Sequence, residues 1–256
     1  MVARADTVKY RNWRWVARFV WVWYVTSRLK ILRRTKGWSD AQYYQEIFSI
    51  PGLGPGHSVD KFASTRAAVT GEIDQDKARA RVLDLATGFA FQARHMYEHG
   101  YRNVYACDLV PYRLSRARAL HGRNGIRYLT ADMQTLCMPV GALDAITISV
   151  GLHDLPVAAV ETTLQECHRA LGPGGRLVFM EPRYVEDVSR RWFRWFYRWC
   201  CSVADESPYV GEYMKFDVAA CMVRIGFRPV RRQNVWGRIL CIYTFEKTGG
   251  QEVAAG

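Results

Sequence analysis

VLDLATGFAFQA, residues 82–93, is the stretch that decides how this chain is read. An apolar run ends in an acid, Asp84, and passes through the small residues Ala86, Thr87 and Gly88 into a helix-like stretch, FQARHMYEHG. Strand, tight turn and helix in that order form the first unit of a nucleotide-binding α/β domain. The turn brings backbone N–H groups to a helix N-terminus, where the dipole is positive. A second apolar run, VYACDLV, reaches Asp108 24 residues after Asp84, with Leu109 next to it. A carboxylate there can accept both hydrogens of a ribose diol. A dinucleotide would ask for G-x-G-x-x-G, so that a pyrophosphate can approach the backbone. A single glycine points instead to a nucleoside ligand with an amino acid end and no phosphate.

At 256 residues the chain is long enough for one sizeable core plus extensions. It is 49% hydrophobic and 23% charged, a globular balance. The net charge of +12 is unevenly placed. Residues 1–36 contribute +9 and residues 223–238 contribute +5, which leaves the rest near neutral. Basic surfaces are therefore attached to a neutral domain. The seven cysteines, Cys107, Cys137, Cys167, Cys200, Cys201, Cys221 and Cys241, form no C-x-x-C pair and no metal spacing. They read as reduced core residues of a cytosolic protein, and no metal is expected. The first dozen residues are polar and basic and no small-residue cleavage site follows, so no signal peptide is expected.

Residues 1–60 read as a basic, aromatic helical extension and a loop. In RNWRWVARFVWVWYVTSRLKIL, residues 11–32, the uncharged stretch is only nine residues. A bilayer span needs about 20. Arg11, Arg14 and Arg18 share one helical face and Trp15, Phe19 and Trp23 another. SRRWFRWFYRWCC, residues 189–201, repeats the character within an inserted helix over 185–204: Arg190, Arg194 and Arg198 recur every four residues beside Trp192, Trp195 and Trp199. Both segments suit a membrane interface, and both equally suit a lid packed over the domain. Nucleic acid is the weaker partner, since base-stacking aromatics usually sit on sheets. The Gly/Pro-rich loop SIPGLGPGHSVD holds His57, a candidate near the substrate entrance.

Over residues 61–247 strand and helix alternate. Strands are expected at RVLDLA, NVYACDL, IRYLT (ending at Asp132 and Met133), LDAITISVGL (with Ser149 near its end) and RLVFMEP. Helices are expected at PYRLSRARALHG, PVAAVETTLQECHRAL and KFDVAACMVRIG. Near-continuous apolar strands imply a parallel sheet covered on both faces. FRPVRRQNV and ILCIYTFEK, joined at Trp236 and Gly237, suit an antiparallel hairpin. Residues 248–256 read as a disordered tail.

LDAITISVGLHDLP followed by LQECHRALGPGGRLVFMEP resembles the ubiquinone/menaquinone C-methyltransferase family, within the class I S-adenosylmethionine-dependent methyltransferases. The family's GLRN-like turn, its VLKPGGRL turn and its DLAGG motif have counterparts in GLHD, ALGPGGRL and DLATG, and the likeness covers about residues 80–246. The resemblance implies a Rossmann-like α/β fold with a seven-stranded, mostly parallel sheet and a terminal antiparallel hairpin. It implies S-adenosylmethionine as cofactor. The backbone of Ala86, Thr87 and Gly88 would bind the methionine end, with Asp84 near its amino group. Asp108 would take the ribose hydroxyls, Asp132 and Met133 the adenine, and Leu109 and Ser149 would join the cofactor site. The sequence departs from the pattern at Ala90, where the family has glycine, and at Phe91, where an acid often follows. It departs again at His153, which replaces the arginine after the fourth strand.

Histidine, with an ordinary pKa near ~6.5, can accept a proton at neutral pH. His153 is thus a candidate base for methylation of a carbon on a small hydrophobic acceptor such as a quinol or phenol. Methylation of nitrogen or oxygen on a lipid headgroup or secondary metabolite is the alternative, and a non-catalytic S-adenosylmethionine-binding module a third. Asp154 reads either as a partner of His153 or as a cap of the helix near Pro156. A cytoplasmic location follows, peripheral on a membrane if the Trp/Arg helices face lipid. The sequence says nothing of oligomeric state.

Overall fold

The computed structural model describes residues 28, 35–37, 60, 62–122, 125–183, 209–235 and 240–249. The chain divides into two compact units, Met1–Val59 and Asp60–Gly256. Apart from Arg28, the segment 11–32 lies outside the described residues, as do 185–204, His57, the Trp236–Gly237 turn and the tail from 250 onward.

In the second unit seven strands form one sheet: β1 (Arg81–Leu85), β2 (Asn103–Asp108), β3 (Arg127–Thr130), β4 (Leu143–Ser149), β5 (Leu171–Pro182), β6 (Phe227–Val235) and β7 (Leu240–Lys247). Their order is β3-β2-β1-β4-β5-β7-β6. The first five are parallel, and β7 runs antiparallel between β5 and β6. The helices are α1 (Ala63–Gly71), α2 (Phe91–Glu98), α3 (Pro111–His121), α4 (Val157–Ala170), α5 (Val210–Tyr213) and α6 (Val218–Ile225).

Side chains alternate along each strand, so each contributes to two cores. Leu83, Leu85, Ile146, Ile148 and Phe179 pack on one face with Leu164 of α4 and Met222 of α6. Val82, Ala106, Ala145 and Val178 pack on the other with Val69 of α1, Met96 of α2 and Ala117 of α3. The small residues on that second face allow the helices to come close. α4 buries Val160, Thr163, Leu164, Cys167 and Ala170, one stripe of a 3.6-residue repeat. Its last carbonyls are met by Lys247 Nζ, which donates to His168 O at 2.8 Å and Leu171 O at 2.7 Å. α6 is capped at both ends: Asp217 accepts the Ala220 N–H at 3.0 Å, and Gly226 follows at φ 106°.

The Gly172–Gly175 turn sits inside β5 as a bulge, since Leu171 pairs with Leu143 and Arg176 with Ala145. A Cβ on Gly175 would lie 2.8 Å from Gly172 O, so the turn closes only around glycine. α1 was not legible: Thr65, Arg66 and Thr70 supply much of its buried face, so its apolar repeat is weak. Arg66 is buried because Asp60 binds it twice, at 2.9 and 3.1 Å. β4 ends at Ser149, three residues short of the expected strand. Four of the cysteines are buried and free, but Cys137 is exposed in the connection between β3 and β4, which corrects its reading as core. Burial raises the Cys107 thiol to about 12, which keeps it protonated and inert.

Candidate active site

The parallel strands end along one edge of the sheet, and their order reverses between β1 and β4. Open α/β sheets bind ligands in the crevice at such a switch point. The sequence candidates Asp84, Ala86, Thr87, Gly88, Asp108, Leu109, Asp132, Met133, Ser149 and His153 all fall on or just beyond the ends of β1 to β4.

The loop after β1 is built from left-handed residues, with φ of 54° at Ala86, 56° at Gly88 and 58° at Ala90. An L residue held there costs about 1–2 kcal/mol, and such positions gather at functional sites. The loop is tied down on every side. The Thr87 N–H donates to Cys107 O at 2.9 Å and the Gly88 N–H to Asp108 Oδ2 at 2.8 Å. His121 Nε2–H donates to Phe89 O at 2.7 Å. Burial holds that imidazole's pKa below its ordinary value, which favours the neutral ring.

Asp84 supports the loop from beneath. Its Oδ1 accepts the Thr147 hydroxyl at 2.9 Å, and its Oδ2 accepts the Thr87 hydroxyl and, at 3.1 Å, the Ala93 N–H. It therefore caps α2 from β1, where Ala90 offers no side-chain cap. Only 1% of Asp84 is exposed, and burial raises its pKa against the lowering pull of these partners. The sequence put Asp84 beside a ligand's amino group; the structure gives its oxygens to Thr147, Thr87 and Ala93.

Asp108 accepts the Gly88 and Val110 N–H groups at 2.8 and 2.9 Å and lies 3.8 Å from Arg113. Its neighbour Leu109 is 64% exposed, a large apolar side chain beside a polar crevice. Asp132 accepts the Gln134 N–H at 2.9 Å. Met133 is half-buried against the core. Ser149 Oγ, at the end of β4, is buried and has no hydrogen-bond partner among the described residues. An unmet buried hydroxyl is costly, and this one lies at the C-terminal end of β4, beside the switch point. Gly151 completes the crevice: a Cβ there would stand 2.8 Å from Ala86 Cβ and 4.0 Å from Met133 Cε.

Between these residues Val150 turns left-handed at φ 60°, and the chain makes a short 3-10 turn, Leu152–Asp154. The turn is captured by a residue the sequence reading passed over. Glu181, fully buried near the end of β5, accepts the Gly151 and Leu152 N–H groups through Oε1, both at 2.7 Å. Its Oε2 accepts Nδ1–H of His153 at 2.6 Å. The available signal was one acid inside the buried strand VFMEP. His153 is itself buried, with Asp154 Oδ1 3.7 Å from Nε2 and the Tyr213 ring edge-on at 6.4 Å. Asp154 is not the cap of α4, whose N-cap Pro156 has no side-chain bond.

A methyltransferase domain family matches residues 83–179, which span β1 to β5 and include every described sequence candidate. The demethylmenaquinone methyltransferase of Thermus thermophilus is 40% identical over 109 residues, 41% of this chain and 49% of that protein. The ubiquinone/menaquinone biosynthesis C-methyltransferase UbiE of Sinorhizobium fredii is 28% identical over 184 residues, 64% of this chain and 70% of that one. The N-methyltransferase NodS of Bradyrhizobium japonicum, solved with S-adenosyl-L-homocysteine, superposes with a TM-score of 0.57 at 16% identity, over 82% of this chain and 98% of that chain. By these matches residues 83–179 resemble a methyltransferase domain, and the chain is similar to UbiE. The Thermus match spans about half of that relative's length. Among the described residues, no helix is long and apolar enough to cross a membrane, and no His, Cys, Asp and Glu group could hold a metal ion.

Proposed function

We propose that this domain transfers a methyl group from S-adenosylmethionine to a carbon of a small hydrophobic acceptor, a quinol or phenol. One observation carries the reading: a Ser149 hydroxyl unpartnered among the described residues, the Asp108 carboxylate and the left-handed Ala86 and Gly88 lie at the switch point, with His153 four residues beyond Ser149. These groups fit the cofactor chemically. Asp108 accepts from the ribose hydroxyls, and Asp132 accepts from the adenine amine with Met133 and Leu109 against the ring. The loop held by Asp84 faces the methionine end, and Ser149 gains the bond it lacks among the described residues. Gly151 keeps the space between the β1 and β4 loops open. When bound, S-adenosylmethionine supplies an electrophilic methyl group and departs as S-adenosylhomocysteine.

An aromatic carbon that gains a methyl group must release its proton. With Nδ1–H turned to Glu181, Nε2 is the basic nitrogen of His153 and takes that proton. A positioned base contributes about 10²–10⁴-fold, and alignment of the reactants supplies much of the rest. The tryptophan- and arginine-rich segments 11–32 and 189–201 serve contact with an anionic membrane surface, where prenylated acceptors reside. The related family has arginine where this chain has His153. An oxygen or nitrogen acceptor is therefore the second reading, since a base replaces a permanent cation.

Incubation with methyl-labelled S-adenosylmethionine and a lipid-soluble cell extract tests both. Label in a carbon-bound methyl group supports the first reading, and label on oxygen or nitrogen supports the second. Tight S-adenosylhomocysteine binding, lost in Asp108→Ala, with no labelled product from any extract would leave a binding module and overturn both.

A further inference from the structure

We propose that Glu181 is the positioning residue of this site, setting both the course of the turn after β4 and the proton position on His153. The inference rests on His153 being the base. Glu181 meets three donors and offers none: the Gly151 and Leu152 N–H groups at 2.7 Å on Oε1, and His153 Nδ1–H at 2.6 Å on Oε2. The two backbone N–H groups commit Oε1 to accepting, and Oε2 is the oxygen left to meet the imidazole. The two carboxylate oxygens divide the work. Oε1 holds the backbone just after the left-handed Val150, a β-branched residue that does not stay there unaided. Oε2 fixes the imidazole tautomer with the proton on Nδ1, which makes Nε2 the acceptor. The strand that supplies Glu181 is parallel to β4, and Ser149 pairs with Met180, the residue before Glu181. The carboxylate thus comes from a strand already locked in register, and one side chain ties the turn and the imidazole together.

This division makes Glu181→Gln informative. The amide oxygen replaces Oε1 and still accepts both backbone N–H groups. The amide NH2 then faces Nδ1, and two donors cannot share that contact. The ring resolves the conflict by moving its proton to Nε2, which removes the basic nitrogen from the acceptor side. The opposite amide orientation would set NH2 against two backbone N–H groups, which have no tautomer to change.

The test uses the full chain with ¹⁵N-labelled histidine. Nitrogen chemical shifts of His153, assigned by its loss in His153→Ala, are read above the ring's titration midpoint. The expected result is Nδ1–H in the unsubstituted protein and Nε2–H in E181Q. Melting temperature and S-adenosylhomocysteine affinity should be retained in E181Q. With reduced demethylmenaquinone as probe acceptor, kcat should fall about 10²–10⁴-fold in E181Q, with KM for S-adenosylmethionine nearly unchanged. A His153 ring with its proton on Nε2 in the unsubstituted protein, or one unmoved by E181Q, overturns the proposal. A tautomer switch with turnover intact upholds the positioning role and overturns His153 as the base, so the two failures are told apart.

Discussion

Gly151→Ala tests whether the crevice depends on contact between the β1 and β4 loops. The added methyl carbon would lie 2.8 Å from Ala86 Cβ. Carbon atoms in good contact sit about 3.5–4.0 Å apart, so the overlap is close to ~1 Å. Neither carbon can swing away, because each is bonded directly to backbone. The loops must separate, and overpacking of this kind costs about 1–3 kcal/mol. For a domain of this size that lowers the melting temperature by about 3–9 °C. The same ~1 Å displacement acts on the reacting geometry, where it can cost about 10²-fold in turnover. Ala86→Gly removes the obstructing carbon and also relieves the φ of 54°. The double variant should therefore recover most of the stability that Gly151→Ala loses, a coupling read by thermal melts of all four proteins. A penalty for Gly151→Ala that is equally large with alanine or glycine at position 86 would refute the contact as its cause.

Ser149→Ala should leave the ligand-free melting temperature unchanged or slightly higher, since the hydroxyl has no partner to lose among the described residues. It should weaken S-adenosylhomocysteine binding by about 0.5–1.5 kcal/mol, measured by calorimetry. Gly88→Ala meets no atom within 4 Å, so it should cost only the left-handed conformation, about 1–2 kcal/mol in a denaturant melt. Its affinity for S-adenosylhomocysteine should fall further than that, because the new methyl group enters the crevice. Burial holds the pKa values of His95, His121 and His168 below the ordinary histidine value. The unfolded chain therefore takes up protons first, so their contribution is complete above about pH 6.5 and is lost as pH falls below it. Asp84 is shifted the other way, so its contribution declines as pH rises above the ordinary carboxylate range. His121→Gln isolates the histidine share: its melting temperature should fall less steeply with acid than that of the unsubstituted protein, and an identical slope would count against it.

The parallel strands were legible along the chain because each is an apolar run followed by a polar or small residue, as Val82–Leu85 is by Ala86 and Leu143–Ile148 by Ser149. The ends of those strands were less so. Val150 and Leu152 look like strand, but the Glu181 carboxylate takes the Gly151 and Leu152 N–H groups, and no local pattern reports a partner about 30 residues away. For the same reason Asp154 drew attention as the neighbour of His153, while the shorter contact belongs to Glu181. Asp84 was found by its motif, but its enclosure by Thr147 and Ala93 depends on how β1, β4 and α2 pack. Ser149 and Leu109 stand out only once burial is known: one hydroxyl hidden without a partner among the described residues, one leucine exposed.

The most direct measurement gives the protein S-adenosylmethionine carrying a ¹³C methyl group and chemically reduced demethylmenaquinone, and locates the label in the product by carbon NMR. The proposed function predicts a methyl group bonded to a ring carbon, formed by the unsubstituted protein and greatly slowed in His153→Ala. Label on oxygen, or carbon methylation that proceeds at full rate without His153, would contradict it.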